Sequence, residues 1–263
     1  MNIKFSKYHG TGNDFIIIDN RSLKLNPKTE WIAKFCHRRF GIGADGLMLL
    51  EKSGDFDFSM KYFNSDGNEG TMCGNGGRCI VAFANSLGII TNHKKFTAID
   101  GEHSAEILKH DENACLIDLQ MQDVKDIKIY NNYYFINTGS PHYVTFVENL
   151  ENIDVFNEGR KIRYGKDFMP DGTNVNFVEI KGENIFVRTY ERGVEDETFS
   201  CGTGVVASAI AFLLKENKVV QNITTLGGNL SVKFEKDGNS FTNIHLIGSA
   251  SFVFVGEILA MPF

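Results

Sequence analysis

Two octapeptides carry the residues best suited to chemistry: Glu69-Gly70-Thr71-Met72-Cys73-Gly74-Asn75-Gly76 and Glu197-Thr198-Phe199-Ser200-Cys201-Gly202-Thr203-Gly204. Both read E-x-x-x-C-G-x-G, both run into an apolar segment, and their cysteines stand 128 residues apart in a chain of 263. Glycine lets the backbone approach a ligand closely. A helix that starts there turns its N–H groups and positive dipole end toward a bound carboxylate. The same field stabilises a thiolate and lowers a cysteine below its reference pKa of about 8.5. One such loop is explained equally well as a tight strand-to-helix turn with an inert, buried cysteine. Two in register point instead to paired acid/base groups, which suit taking a proton from one face of a carbon and returning it on the other. The carboxylate gains charge as the carbanion forms, so amides aimed at it favour that state over the ground state.

Polar segments lead into both loops. Phe63-Asn64-Ser65-Asp66-Gly67-Asn68-Glu69 precedes the first and Tyr190-Glu191-Arg192-Gly193 the second. Arg192 suits a bidentate clamp on a carboxylate, and Glu191 suits an ammonium; away from the cysteines both would read as solvated charges on a hairpin. His142, in Gly139-Ser140-Pro141-His142, is placed either to bias a thiol or bond an amine, or to fill a half-buried turn. Asn13 and Asn174 follow glycine-containing turns, where Asn is common in any case. Glu69 and Glu197 suit capping the cysteine loops or complementing the helix dipole. Cys36, Cys79 and Cys115 lie in apolar patterns and read as core.

These loops need a repeated scaffold. His9-Gly10-Thr11-Gly12-Asn13-Asp14-Phe15 answers Asn137-Thr138-Gly139-Ser140-Pro141-His142-Tyr143, and Asp45-Gly46 with Leu47–Leu50 answers Asn174–Glu179. Asp100-Gly101 answers Gly227-Gly228, and the offset stays between 126 and 129 throughout. Two equivalent halves joined near residues 119–130 follow from this register. Short apolar or alternating runs bounded by turn residues predict strands at Phe5, Phe15–Ile18, Leu47–Leu50, Phe58–Phe63, Ile127–Phe135, Tyr143–Val147, Val175–Ile180, Ile185–Tyr190, Leu230–Phe234 and Phe252–Val255. Lys236-Asp237-Gly238-Asn239 predicts a hairpin turn. Thr29 is a predicted cap for a helix over Glu30–Arg39. Arg78–Leu87 and Val205–Leu214 are apolar nearly all round, so each predicts a helix buried on every side, with a curved sheet wrapped around it.

Composition excludes several classes. A net charge of −6 without a dense basic cluster argues against a nucleic-acid or membrane-surface role. No apolar run approaches the ~18 residues of a membrane span. No signal-peptide pattern opens the chain, so a cytoplasmic location is expected. Five cysteines without a C-x-x-C favour neither a disulfide framework nor zinc, and no metal is expected.

The motifs His9-Gly10-x-Gly12-Asn13-Asp14-Phe15, Asp66-Gly67-Asn68-Glu69-x-x-Met72-Cys73-Gly74-Asn75-Gly76-x-Arg78-Cys79, Gly139-x-Pro141-His142, Gly172-Thr173-Asn174-Val175-Asn176-Phe177 and Tyr190-Glu191-Arg192-Gly193 through Gly204 cover nearly the whole chain. In them the chain resembles the diaminopimelate epimerase family of cofactor-independent amino-acid epimerases. The resemblance implies interconversion of LL- and meso-2,6-diaminopimelate for lysine and peptidoglycan precursors, without a cofactor, in a homodimer. It makes Cys73 and Cys201 the acid/bases and the amides of Gly74-Asn75 and Gly202-Thr203 the carboxylate cradle. Asn13, Asn64, Ser140, Asn174, Glu191 and Arg192 bind the remaining groups, and His142 and Glu191 adjust the thiols. The implied fold is α+β. Its two pseudo-symmetric halves, residues 1–121 with a returning strand at 252–263 and residues 122–251, are each a barrel-like, mostly antiparallel sheet around a central helix. Three departures stand out: Gly46 replaces a Gln of some members, Ser140 replaces an Asn, and Val194–Glu197 is one residue longer, predicting a bulge. The competing readings are a proline- or hydroxyproline-type racemase of the same fold and, from another class, a thiol redox or binding protein.

Overall fold

A computed structural model of the protein describes residues 2–89 and 93–259. The chain forms two compact units, Met1–Leu119 with Gly248–Phe263, and Gln120–Ile247. The fold is α+β, and the two units are built alike.

The first unit contains strands β1 (Ile3–Gly10), β2 (Asn13–Asp19), β3 (Gly46–Glu51), β4 (Phe58–Asn64), β5 (Glu69–Gly70), β6 (His93–Ala98), β7 (Gly101–His110) and β8 (Ala114–Gln120), with helices α1 (Thr29–Cys36) and α2 (Gly74–Ser86). β1 pairs antiparallel with β2, β3 with β4, β6 with β7 and β7 with β8, while β2–β3 and β4–β6 are parallel. The last strand of the chain closes the sheet, with Ser249–Ser251 against β8 and Ser251–Ile258 against β1. Closure removes the open edges of the sheet. Helix α2 runs inside, with Gly74 through Ala84 all buried. Each large apolar side chain so buried stabilises by roughly 1.5–3 kcal/mol, which is why a helix apolar all round settles there.

The second unit repeats this order. It contains β9 (Ile127–Ile129), β10 (Tyr134–Asn137), β11 (Pro141–Phe146), α3 (Val155–Arg163), β12 (Asn174–Lys181), β13 (Asn184–Glu191), β14 (Asp196–Thr198), α4 (Gly202–Glu216), β15 (Ile223–Thr225), β16 (Gly228–Asp237) and the start of β17 (Ser240–Ile258). The parallel pairs recur at the equivalent places, β11–β12 and β13–β15. Val124 and Phe241 exchange reciprocal backbone hydrogen bonds at 2.8 and 2.7 Å, tying the two ends of the sheet. Around α4 the core runs from Val124 and Ile136 through Val178 and Val187 to Leu246.

Local expectations shift in identifiable ways. Both central helices begin earlier than their apolar runs, because the Cys-Gly-x-Gly residues form the first turn themselves. Thr29 is no cap: it lies within α1, Lys28 precedes the helix without a side-chain bond, and the helix ends at Cys36. Ile127–Phe135 is a hairpin, since Tyr130 N–H bonds Tyr133 C=O at 2.9 Å. Helix α3 lacks an apolar run and is capped by Asp154, whose carboxylate accepts from Asn157 N–H. The Asp237–Ser240 turn stands where predicted, with Gly238 at φ +58°.

Candidate active site

Cys73 is the N-cap of α2 and Cys201 the N-cap of α4. Cys73 Sγ accepts from Gly76 N–H at 3.2 Å, and Cys73 C=O accepts from Gly77 N–H at 2.8 Å. Cys201 C=O accepts from Val205 N–H at 2.9 Å. The first-turn amides of a helix have no intrahelical acceptor, so both loops present donors beside a thiol. A Cβ on Gly204 would stand 2.3 Å from Asn176 Oδ1, which is why this loop position needs glycine.

Around the first loop, Asn75 joins two expected residues. Its Nδ2 donates to Asn13 Oδ1 at 3.2 Å, and its Oδ1 accepts from Thr11 Oγ1 at 3.2 Å and Arg78 Nη2 at 2.8 Å. Asn13 Nδ2 donates to Asp45 Oδ2 at 2.5 Å. Asp45 in turn holds Arg38, which also binds Asp14, and Asp14 pairs with Lys7 at 2.7 Å. Asn64 ends β4, exposed, with its amide beside Gly70. At Gly46 a Cβ would meet the Tyr62 ring at 2.5 Å and Phe63 C=O at 2.6 Å, so the position has no room for a side chain.

Around the second loop the support is neutral. Asn176 Nδ2 donates to Tyr143 C=O at 3.0 Å and to His142 Nδ1 at 3.1 Å. That makes Nδ1 the acceptor and leaves the proton on Nε2, which donates to Thr203 Oγ1 at 3.0 Å. Thr203 Oγ1 in turn stands 3.5 Å from Cys201 Sγ, a contact in which either group can donate. His142 is wholly buried, so it reaches the thiol through Thr203 and is not the half-buried turn residue of the alternative reading. Burial pushes its pKa down to about 3, helped by the charge of Arg192, so the imidazole is neutral.

The binding segment of this unit is knit together. Arg192 N–H donates to Asn174 Oδ1 at 2.9 Å, Asn174 Nδ2 to Ser140 Oγ at 2.9 Å, and Thr198 Oγ1 to Glu191 Oε2 at 3.1 Å. Arg192 Nη1 also donates to Asp171 C=O at 3.1 Å. Glu197 caps nothing: Arg188 binds its carboxylate with two bonds, 2.6 and 2.8 Å. In the Val194–Glu197 segment Glu195 lies in the turn between β13 and β14 and adopts the left-handed region at φ +59°. Its side chain turns back and accepts from Gly193 N–H at 3.0 Å, Tyr164 Oη at 2.9 Å and Tyr190 Oη at 3.2 Å.

Arg78, Asp45, Asn176, Thr198 and Glu195 were not singled out from the sequence. An arginine opening an otherwise apolar helix was the one available signal; the others act on neighbours that only the fold brings close. Among the described residues no group of His, Cys, Asp and Glu side chains could hold a metal ion, and no helix is long and apolar enough to cross a membrane.

A buried central helix wrapped by strands in each of two like units is a fold shared with solved structures. One is the Bacillus anthracis phenazine biosynthesis protein of the PhzF family, at TM-score 0.75 and 15% identity over 99% of this chain and 100% of that one. Another is a hydroxyproline epimerase from Agrobacterium vitis, at TM-score 0.69 and 13% identity over 98% and 91%. The family is fixed by sequence: the diaminopimelate epimerase model matches residues 5–125 and 134–253, and the chain belongs to that family. The diaminopimelate epimerase of Flavobacterium psychrophilum is 55% identical over 96% of this chain and 98% of its own. That of Chlorobaculum tepidum is 45% identical over 95% and 98%.

Proposed function

We propose that this protein is a diaminopimelate epimerase that interconverts LL- and meso-2,6-diaminopimelate, with Cys73 and Cys201 as its two acid/base groups. The observation that carries the reading is the presence in each unit of a cysteine capping the buried central helix, in a chain of this family. One cysteine, as thiolate, takes the α-proton; the other, as thiol, delivers a proton to the opposite face. The amides of Gly74-Asn75 and Gly202-Thr203 receive the carboxylate at the reacting carbon, where charge develops. Asn13, Asn64, Ser140, Asn174, Glu191 and Arg192 take the remaining carboxylate and ammonium groups. His142, neutral and bonded to Thr203, orients the hydroxyl that meets Cys201 Sγ. Both proton transfers are complete with the two thiols, so the reading calls on no metal or cofactor.

The protein works in the cytoplasm, where reduced thiols such as its five free cysteines persist. It works as a homodimer, as the family resemblance implies, and sedimentation at twice the chain mass tests this. The activity is tested with LL-diaminopimelate in heavy water. The wild type should yield the meso isomer carrying deuterium at the α-carbon, and Cys73→Ser and Cys201→Ser should each lose at least ~100-fold in rate. Full activity in both variants overturns the two-thiol mechanism. Exchange into L-proline alone would assign the chain to the racemase reading instead.

A further inference from the structure

Arg78 is the largest of the wholly buried side chains. Its Nη1 donates to Gly74 C=O at 3.0 Å, its Nη2 to Asn75 Oδ1 at 2.8 Å and Thr11 Oγ1 at 3.2 Å, and its Nε to Ser249 C=O at 3.4 Å. Every acceptor is neutral. Among the described residues the guanidinium is hydrogen-bonded but has no carboxylate partner, an arrangement that costs stability in a protein interior. It also stands near the positive end of the α2 dipole, the unfavourable end for a cation. Burial lowers its pKa only to about 10, so the charge persists at neutral pH. A fixed positive charge beneath a loop invites an anion on that loop.

Two titratable groups couple to this charge, Cys79 and Cys73. Cys79 is wholly buried, and burial drives its thiol far above the usual range, so it stays protonated. Lys7 and Asp14, on the strands packed against α2, pair with each other at 2.7 Å. Neither they, nor Tyr8, nor any group on β3 or β7 bonds Arg78. That leaves Cys73. In the second unit the position equivalent to Arg78, 128 residues on, is Val206, buried and apolar.

We propose that Arg78 is a positioning residue and fixed counter-charge for the Cys73 loop: it holds Gly74 and Asn75 from below and favours negative charge at Cys73, with no counterpart at Cys201. The counter-charge role rests on the bonds of Arg78 to Gly74 and Asn75, the residues that follow Cys73, while the identity of any carboxylate bound there rests on the proposed function. The test therefore omits substrate. Each cysteine of the full-length protein is alkylated with iodoacetamide at pH 7, and rates are read by peptide mass spectrometry in the wild type, Arg78→Gln and Arg78→Lys. Arg78→Gln should slow Cys73 about tenfold, one pKa unit of lost thiolate, and leave Cys201 unchanged. Arg78→Lys, which keeps the charge, should stay within about threefold of wild type. An unchanged Cys73 rate in Arg78→Gln overturns the proposal. Should Arg78→Gln not fold, a tenfold loss in folded Arg78→Lys overturns it equally, because the charge would then be irrelevant. Loss of epimerisation with normal Cys73 alkylation would refute this role while sparing the two-thiol mechanism.

Discussion

The two cysteine loops share a backbone and differ in what lies beneath it. Both cysteines stand at the N-cap of a buried helix, though only the Cys73 thiol makes a capping bond, and both loops take a hydrogen bond from the threonine of an equivalent hairpin turn: Thr11 Oγ1 to Asn75 Oδ1 at 3.2 Å, Thr138 Oγ1 to Thr203 C=O at 3.0 Å. Under the first loop lies a buried cation, Arg78; beside the second lies a neutral relay from Asn176 through His142 and Thr203 to Cys201. The two units share the geometry of a helix N-terminus, while the side chains around it differ. A mechanism that needs one thiolate and one thiol benefits from such inequality.

The comparison breaks most sharply at the last glycine of each loop. An alanine Cβ at Gly204 would lie 2.3 Å from Asn176 Oδ1 and 3.3 Å from His142 Cε1, both held in place by hydrogen bonds. At Gly76 it would meet Cys73 Sγ at 3.2 Å and the ends of Met48 and Met60 at 3.5 and 3.6 Å, side chains that can yield. Gly204→Ala should therefore lose about 3 kcal/mol of stability in denaturant melts. Gly76→Ala should lose less than about 1 kcal/mol, part of it recovered as helix propensity. Equal losses would mean that the relay gives the second loop no rigidity the first lacks.

The neutral relay also predicts a pH dependence. His142 is held near pKa 3 in the folded chain against 6.5 unfolded, so the unfolded state binds one more proton between these values. Stability is then greatest above pH 6.5 and falls as the pH drops through that value, by about 2 kcal/mol at pH 5. His142→Gln should be less stable at pH 7 yet lose that slope. A slope that survives the substitution would assign the acid lability to other groups.

What could be read in the sequence was what repeats or follows a strong period. The Cys-Gly-x-Gly loops, the two helices apolar all round and the strands after each glycine turn were legible because burial leaves a pattern. Helix α3 was not, since its residues Asn157 to Arg163 are mostly polar and its order comes from Asp154 and from packing on β12 and β13. The largely polar strands β6 and β7 were missed for the same reason, and β8, apolar and mostly buried, was missed although its pattern was there to read. Within the candidate site, residues that would touch substrate were nameable from motifs, whereas those that hold them were not. Asp45 and Asn13 are 32 positions apart, and only the parallel pairing of β2 with β3 joins them.

The smallest expected effect concerns the one-residue insertion, which has no match in the first loop. Glu195 adopts a left-handed backbone unusual for its type and fastens the loop carrying Glu191 and Arg192 to α3 through Tyr164 and Arg163. Its side chain is one-third exposed, so the ion pair with Arg163 contributes little by itself. The geometry of the loop is what it secures. Glu195→Gly relieves the backbone and removes the latch, so stability should change by less than about 1 kcal/mol while KM for diaminopimelate rises about threefold. Glu195→Gln keeps the strain and weakens the latch, and should lose more stability than Glu195→Gly for a smaller rise in KM. If KM moves in neither variant, Arg192 is positioned by Asn174 alone, and the insertion is a surface elaboration with no bearing on the binding loop.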